Sequence, residues 1–248
     1  MEAVAPDAFE VSIEVVRAAN ARGIPLKLLG GQAVRVLCPL FPHRARDDQD
    51  MDFACVSSKK REVIAFFDER GFMGDSRFNT LHGDRQMYFT TADGKTSVDV
   101  VMNKLNMCHV LDFSDRIDRL PDTLDVTDLL LTKLQIAQLN EKDIRDALAL
   151  LEGHPVGDAD GETVNAGRIA ALCGADWGLW RTITGNLDTC CAMAPGYDVP
   201  NRAEVEARLQ ELLRRIEAEP KTRAWRLRAK IGDRKRWYEL PDEVAGGP

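Results

Sequence analysis

The sequence predicts an α+β protein: a small mixed sheet flanked by helices, followed by a helical C-terminal region. Three observations carry this. Two alternating apolar runs, 85–92 and 96–103, bracket Asp93-Gly94, the strongest hairpin signal in the chain. A short apolar run, 26–31, passes through Gly30-Gly31 into a helical pattern. After about residue 120 the apolar spacing becomes helical throughout. The expected division is an α/β domain over 1–120 and a helical domain over 121–248.

In chain order, 8–21 has helical spacing closed by Gly23 and Pro25. LKLLGG (26–31) reads as a strand running into two glycines, and 32–41 as a helix ending before Pro42. Residues 42–49 read as a polar loop, 50–56 as a strand, and 58–70 as an amphipathic helix stopped at Gly71. Beyond the hairpin, 125–139 and 141–153 are helical, the first capped by Asp125 or Thr127. A Gly/Asp-rich linker (153–165) precedes three more helical stretches. There is no internal repeat and no low-complexity tract.

With 248 residues, 44% hydrophobic and 29% charged, the chain can bury a full core. No apolar run reaches membrane-span length, and the acidic N-terminus lacks a signal-peptide pattern, so a cytoplasmic protein is expected. The six cysteines form no C-x-x-C pair and the four histidines no metal-ligand spacing; buried, reduced thiols are expected. Charge is uneven. Residues 221–236 hold eight Lys/Arg against one Asp, a local +7, so the rest of the chain carries −14 within a total of −7.

Three features carry candidate chemistry. Gly30-Gly31 stands between a strand and a helix, where a phosphate can approach the backbone at a helix N-terminus; a plain tight turn reads equally well. Asp50 and Asp52 are i and i+2 at a strand start, so both carboxylates point one way. A divalent cation would relieve their repulsion; an acidic surface turn continuing Asp47-Asp48 is the competing reading. Asp99 lies within the apolar run SVDVV, sharing a face with Ser97 and Val101. A charge there is costly unless it is paired or metal-bound; a buried Asp satisfied by the backbone or an Arg is the competing reading.

In this order, G-G, D-x-D and a later D resemble the nucleotidyltransferase superfamily that includes DNA polymerase β. The nearest likeness is the minimal, AbiEii-like toxin type. Lys133 within LLTKL, followed by Lys142-Asp143-Ile144-Arg145-Asp146, resembles that group's last motif. The likeness covers roughly residues 25 to 150. Two departures stand out: Gln32 follows the glycines where Ser or Thr is common, and Asp48 stands where Thr is common, although Arg46 is kept.

The resemblance implies transfer of a nucleotidyl group from an NTP to a hydroxyl. Asp50, Asp52 and Asp99 would hold two Mg²⁺ ions, with Asp99 also able to accept the hydroxyl proton. Gly30, Gly31, Arg46, Lys133 and Asp143 would bind the nucleotide, and Asp143 or Asp146 would orient Lys133 or the nucleobase; a helix-surface charge pair with Arg145 or Lys142 reads equally well for each. The acceptor classes are tRNA, a protein, or a small molecule such as an aminoglycoside. A toxin of a toxin–antitoxin pair fits, with an antitoxin as partner; a nucleotide-binding protein without turnover is the alternative. P-loop and dinucleotide-binding fingerprints are absent. The basic segment, with Trp225, Trp237 and Tyr238 among its cations, has three readings: an RNA surface, a contact for an acidic partner, or a helix docking on its own acidic domain. The charge of −14 elsewhere favours the last.

Overall fold

The computed structural model describes residues 8–42 and 50–240. These fall into two compact units: 8–39, 50–105 and 112–125 in the first, and 40–42, 106–111 and 126–240 in the second.

The first unit is built on a five-stranded mixed sheet. Helix α1 (Ala8–Ala21) leads through β1 (Lys27–Leu28) to α2 (Gly30–Leu37). Then come β2 (Met51–Cys55), a 3₁₀ turn, α3 (Lys60–Glu69), β3 (Met73–Gly74), α4 (Ser76–His82), β4 (Gln86–Thr90) and β5 (Ser97–Met102). The strand order is β1-β2-β5-β4-β3. β2 and β5 run parallel and the other pairs antiparallel, so the α+β class and the mixed sheet are as the sequence predicts.

Period-two alternation divides this sheet into two unlike faces. Met51, Phe53, Cys55, Met87, Phe89, Val98, Val100 and Met102 are all essentially inaccessible to solvent. Phe67 of α3 closes on that face, with ring centroids 4.8 Å from Phe89 and 6.1 Å from Phe53. Asp52, Gln86, Tyr88, Thr90, Ser97 and Asp99 point the other way and are half-buried. The hydrophobic face thus fixes the register that gathers the polar side chains on the opposite face.

Several boundaries differ from the sequence reading. The strand at 26–31 is just Lys27–Leu28, because the helix already begins at Gly30. That helix stops at Leu37, well before Pro42, because Cys38 precedes Pro39 and is driven out of helical geometry (φ −124°, ψ 58°). Strand β3 and helix α4 fall where no element was expected; Asp75 caps α4 by accepting from Phe78 N. Two further strands, Lys104–Asn106 and Val110–Asp112, form a two-stranded sheet.

In the second unit, helices α5 (Val126–Leu134), α6 (Glu141–Gly153), α7 (Ala166–Ala175), α8 (Trp177–Met193), α9 (Arg202–Ala218) and α10 (Arg223–Ile231) form the helical region. Helix α5 ends at Leu134 instead of continuing to 139. The Asn186 amide of α8 donates to the carbonyls of Leu134 and Ile136, 2.8 Å each, satisfying backbone groups the broken helix leaves open. The linker at 153–165 holds a minimal parallel pair, Val156–Gly157 with Val164–Asn165. No helix among the described residues is long and apolar enough to cross a membrane.

Candidate functional site

Asp52 on β2 and Asp99 on β5 are direct Cα partners across the parallel pair. Neighbouring strands stand about 4.8 Å apart, so these two carboxylates rise side by side. Asp50 precedes β2 by one residue, and its Oδ1 accepts from Ser97 Oγ at 2.5 Å. That bond places Asp50 beside Ser97, one step along the same face. Asp99 Oδ1 accepts from Gln86 Nε2 on β4, also at 2.5 Å. Burial lifts the Asp99 carboxyl above its usual range; Gln86 opposes the rise and the Asp50 charge adds to it.

Gly30 is the residue on which the arrangement turns. Its φ of +66° suits glycine, and a Cβ there would lie 2.3 Å from Asp52 Oδ2. The Asp52 carboxylate therefore stands against the first turn of α2. The N-cap residue, Leu29, supplies no side-chain cap. Its N–H instead donates to the Asp52 carbonyl at 2.9 Å, tying helix start to strand. The positive end of the helix dipole at this start suits a carboxylate or another anion.

Gln32 belongs to the same corner. It is buried, and its Nε2 donates to the Asp50 carbonyl at 2.8 Å, while its Oε1 has no hydrogen-bond partner. The residue that departs from the family pattern thus fastens α2 to the residue before β2. Sequence reading did not assign site roles to Gln32, Gln86 or Ser97. The alternation that puts Ser97 beside Asp99 was the usable signal; the bonds of Gln32 and Gln86 are long-range and left none.

The three carboxylates suit a divalent cation in kind and in register: hard oxygens gathered on one sheet face, with Asp50 and Asp99 held by neutral donors. As the side chains stand, no three His, Cys, Asp or Glu residues among those described converge on one point.

Lys133 and Asp143 lie in the second unit. Lys133 Nζ bridges Asp143 (3.3 Å) and Asp146 (2.8 Å), largely shielded from solvent. Burial disfavours its charge, but the two carboxylates outweigh burial and hold its pKa above the usual lysine value. The trio carries a net −1, so the carboxylates already engage the ammonium. The expected i, i+3 face of Asp143 and Asp146 is therefore occupied by Lys133. Arg46 and Asp48 lie outside the described residues.

No family model matches the chain, and no curated protein matches it. Solved structures give distant likenesses, among them nucleotidyl- and adenylyltransferases. One is the lincosamide antibiotic adenylyltransferase LnuA with lincomycin bound: 15% identity, 55% of this chain, 92% of that chain, TM-score 0.40. Another is the antibiotic-resistance factor ANT(2'')-Ia: 14% identity, 58% and 84% coverage, TM-score 0.41. A third is an antigenic nucleotidyltransferase-like protein from Paracoccidioides brasiliensis: 13% identity, 88% and 95% coverage, TM-score 0.40. At these identities and scores none assigns a role to a residue of this chain, and the site stands on its own geometry.

Proposed function

We propose that the chain is a divalent-cation-dependent nucleotidyltransferase that moves a nucleotidyl group from an NTP to an acceptor hydroxyl. The observation that carries this is the direct pairing of Asp52 with Asp99, Asp50 one step along, on the polar face of a sheet whose other face is core. Two Mg²⁺ ions, when bound, would screen the triphosphate and acidify the acceptor hydroxyl. Asp50 and Asp52 would hold both ions, and Asp99 one. Asp99 would also be able to accept the hydroxyl proton. Gly30 and Gly31 would let the triphosphate approach the start of α2. The family resemblance also gives nucleotide-binding roles to Arg46, Lys133 and Asp143; Lys133 itself stands ion-paired to Asp143 and Asp146.

The acceptor classes that fit are an RNA end such as that of tRNA, a protein hydroxyl, or a small-molecule hydroxyl. The likeness to the AbiEii-like group supports the toxin of a toxin–antitoxin pair. The hydrogen bonds holding Asp50 and Asp99 favour a second reading, a nucleotide-binding protein without turnover. Incubation with Mg²⁺, cell extract and either α- or γ-labelled NTPs decides. Label transferred from the α position alone is the expected result. Mg²⁺-dependent binding with no transfer supports the second reading, and transfer from the γ position refutes both.

A further inference from the structure

The basic segment is held mainly through its aromatic rings. Trp225 packs on Trp180 (centroids 5.2 Å) and Trp237 on Trp177 (6.0 Å), with Arg228 over the Trp177 ring at 4.5 Å. Trp237 Nε1 donates to Thr182 Oγ1 at 3.0 Å, and its carbonyl lies where a Cβ on Gly178 would fall, at 2.6 Å. Thr222 caps α10 by accepting from Trp225 N. Asp233, the segment's acid, pairs with Arg181. Among the described residues none of the eight Lys/Arg of 221–236 pairs with a carboxylate.

Outward, the helix shows another pattern. Arg223, Leu227, Lys230 and Ile231 stand at i, i+4, i+7 and i+8, one stripe of a helix, with Arg234 just beyond. Leu227 is 64% exposed and Ile231 44%. Large apolar side chains between cations that pair with no carboxylate among the described residues, on a helix fixed from behind, form a surface whose complement is acidic and apolar at once.

We infer that the outer face of α10 docks an acidic amphipathic segment of a partner protein, leucine-type side chains against Leu227 and Ile231, carboxylates against Arg223, Lys230 and Arg234. RNA fits less well: the Trp rings that could stack on bases are packed against other rings, and hydrated phosphate gains nothing from Leu227 and Ile231. A planar anionic bilayer would bring a chain that is otherwise −14 against like charge, whereas a single acidic segment need touch only this stripe. The inference is independent of the proposed chemistry.

The test uses the full chain and four probes. These are a labelled acidic peptide of about 20 residues with Leu at i, i+4 spacing among Glu, its scrambled isomer, a single-stranded RNA of similar charge, and phosphatidylserine vesicles. The patterned peptide should bind tightest. L227S/I231S should weaken it at least about tenfold, and R223E/K230E should abolish it. Circular dichroism should be unchanged in both variants. Equal binding of patterned and scrambled peptides, no peptide binding, tighter binding of RNA or vesicles, or indifference to L227S/I231S would overturn the inference.

Discussion

Replacing Gly30 by alanine probes the geometry at its tightest point. The new Cβ would meet Asp52 Oδ2 at 2.3 Å, Cγ at 3.2 Å and Cβ at 3.3 Å, so the carboxylate must retreat by about 0.7 Å to reach a tolerable contact. Holding a Cβ at φ +66° adds roughly 1–2 kcal/mol. In a chain of this length each kcal/mol lowers Tm by about 2–4 °C, so a fall of roughly 2–8 °C is expected. With Asp52 holding an ion as proposed, a displacement approaching 1 Å there costs about 10²-fold in turnover. Gly23 is the internal control. It has φ +72°, and a Cβ there would meet nothing within 4 Å. Gly23→Ala should lose similar stability and keep its activity. Thermal melts and α-label transfer read both variants. Near wild-type transfer by Gly30→Ala, or an equal loss in both, would refute the reasoning.

Three further outcomes follow from the same geometry. Asp99→Asn should abolish transfer yet raise Tm at neutral pH. The folded carboxyl's pKa lies above the ordinary 3.8, so stability is fullest below that value and declines as pH rises from it towards the folded pKa. Melts at pH 7 and near pH 3.5 should show the gap closing in acid, and a gap independent of pH would contradict this. Lys133→Met should strand two carboxylates and cost on the order of 3 kcal/mol by denaturant titration; a loss under 1 kcal/mol would mean the bridge is not held. Burial pushes the Cys55 thiol up to about 11 and those of Cys173 and Cys190 to about 12, while Cys191 is half-exposed. In the native protein a thiol reagent should therefore modify Cys191 first, and early labelling of the other three, read by peptide mapping, would contradict the packing.

What the sequence made legible was local. Helices α1 and α6 start and stop where their apolar spacing and flanking glycines indicate, and the faces of β5 follow from alternation. The i and i+2 spacing of Asp50 and Asp52 gave the expectation of a shared face; Asp50 lies one residue before β2 and is exposed. What stayed hidden depends on strands meeting. That Asp99 pairs with Asp52 is a matter of β2–β5 register, set by Met51, Phe53, Val98 and Val100 burying together. That Gly30 is needed beneath Asp52, and not just in a turn, rests on a contact between residues 22 positions apart. Gln32, a departure when judged against the family motif, proves to be tied to the Asp50 carbonyl. Charge misled in the basic segment: its dock is aromatic, and most of its cations, Arg223, Lys230 and Arg234 among them, are exposed while Arg228 lies on the Trp177 ring. Helix α4 went unread because its seven residues hold too little apolar periodicity, although Asp75 was a usable cap signal.

The central claim is that Asp52 serves nucleotidyl transfer and not the fold. Its most direct test is Asp52→Ala, assayed for transfer of α-label in Mg²⁺ beside a thermal melt. Loss of transfer with cooperative unfolding retained is the result expected; transfer at the wild-type rate by the folded variant would contradict the assignment.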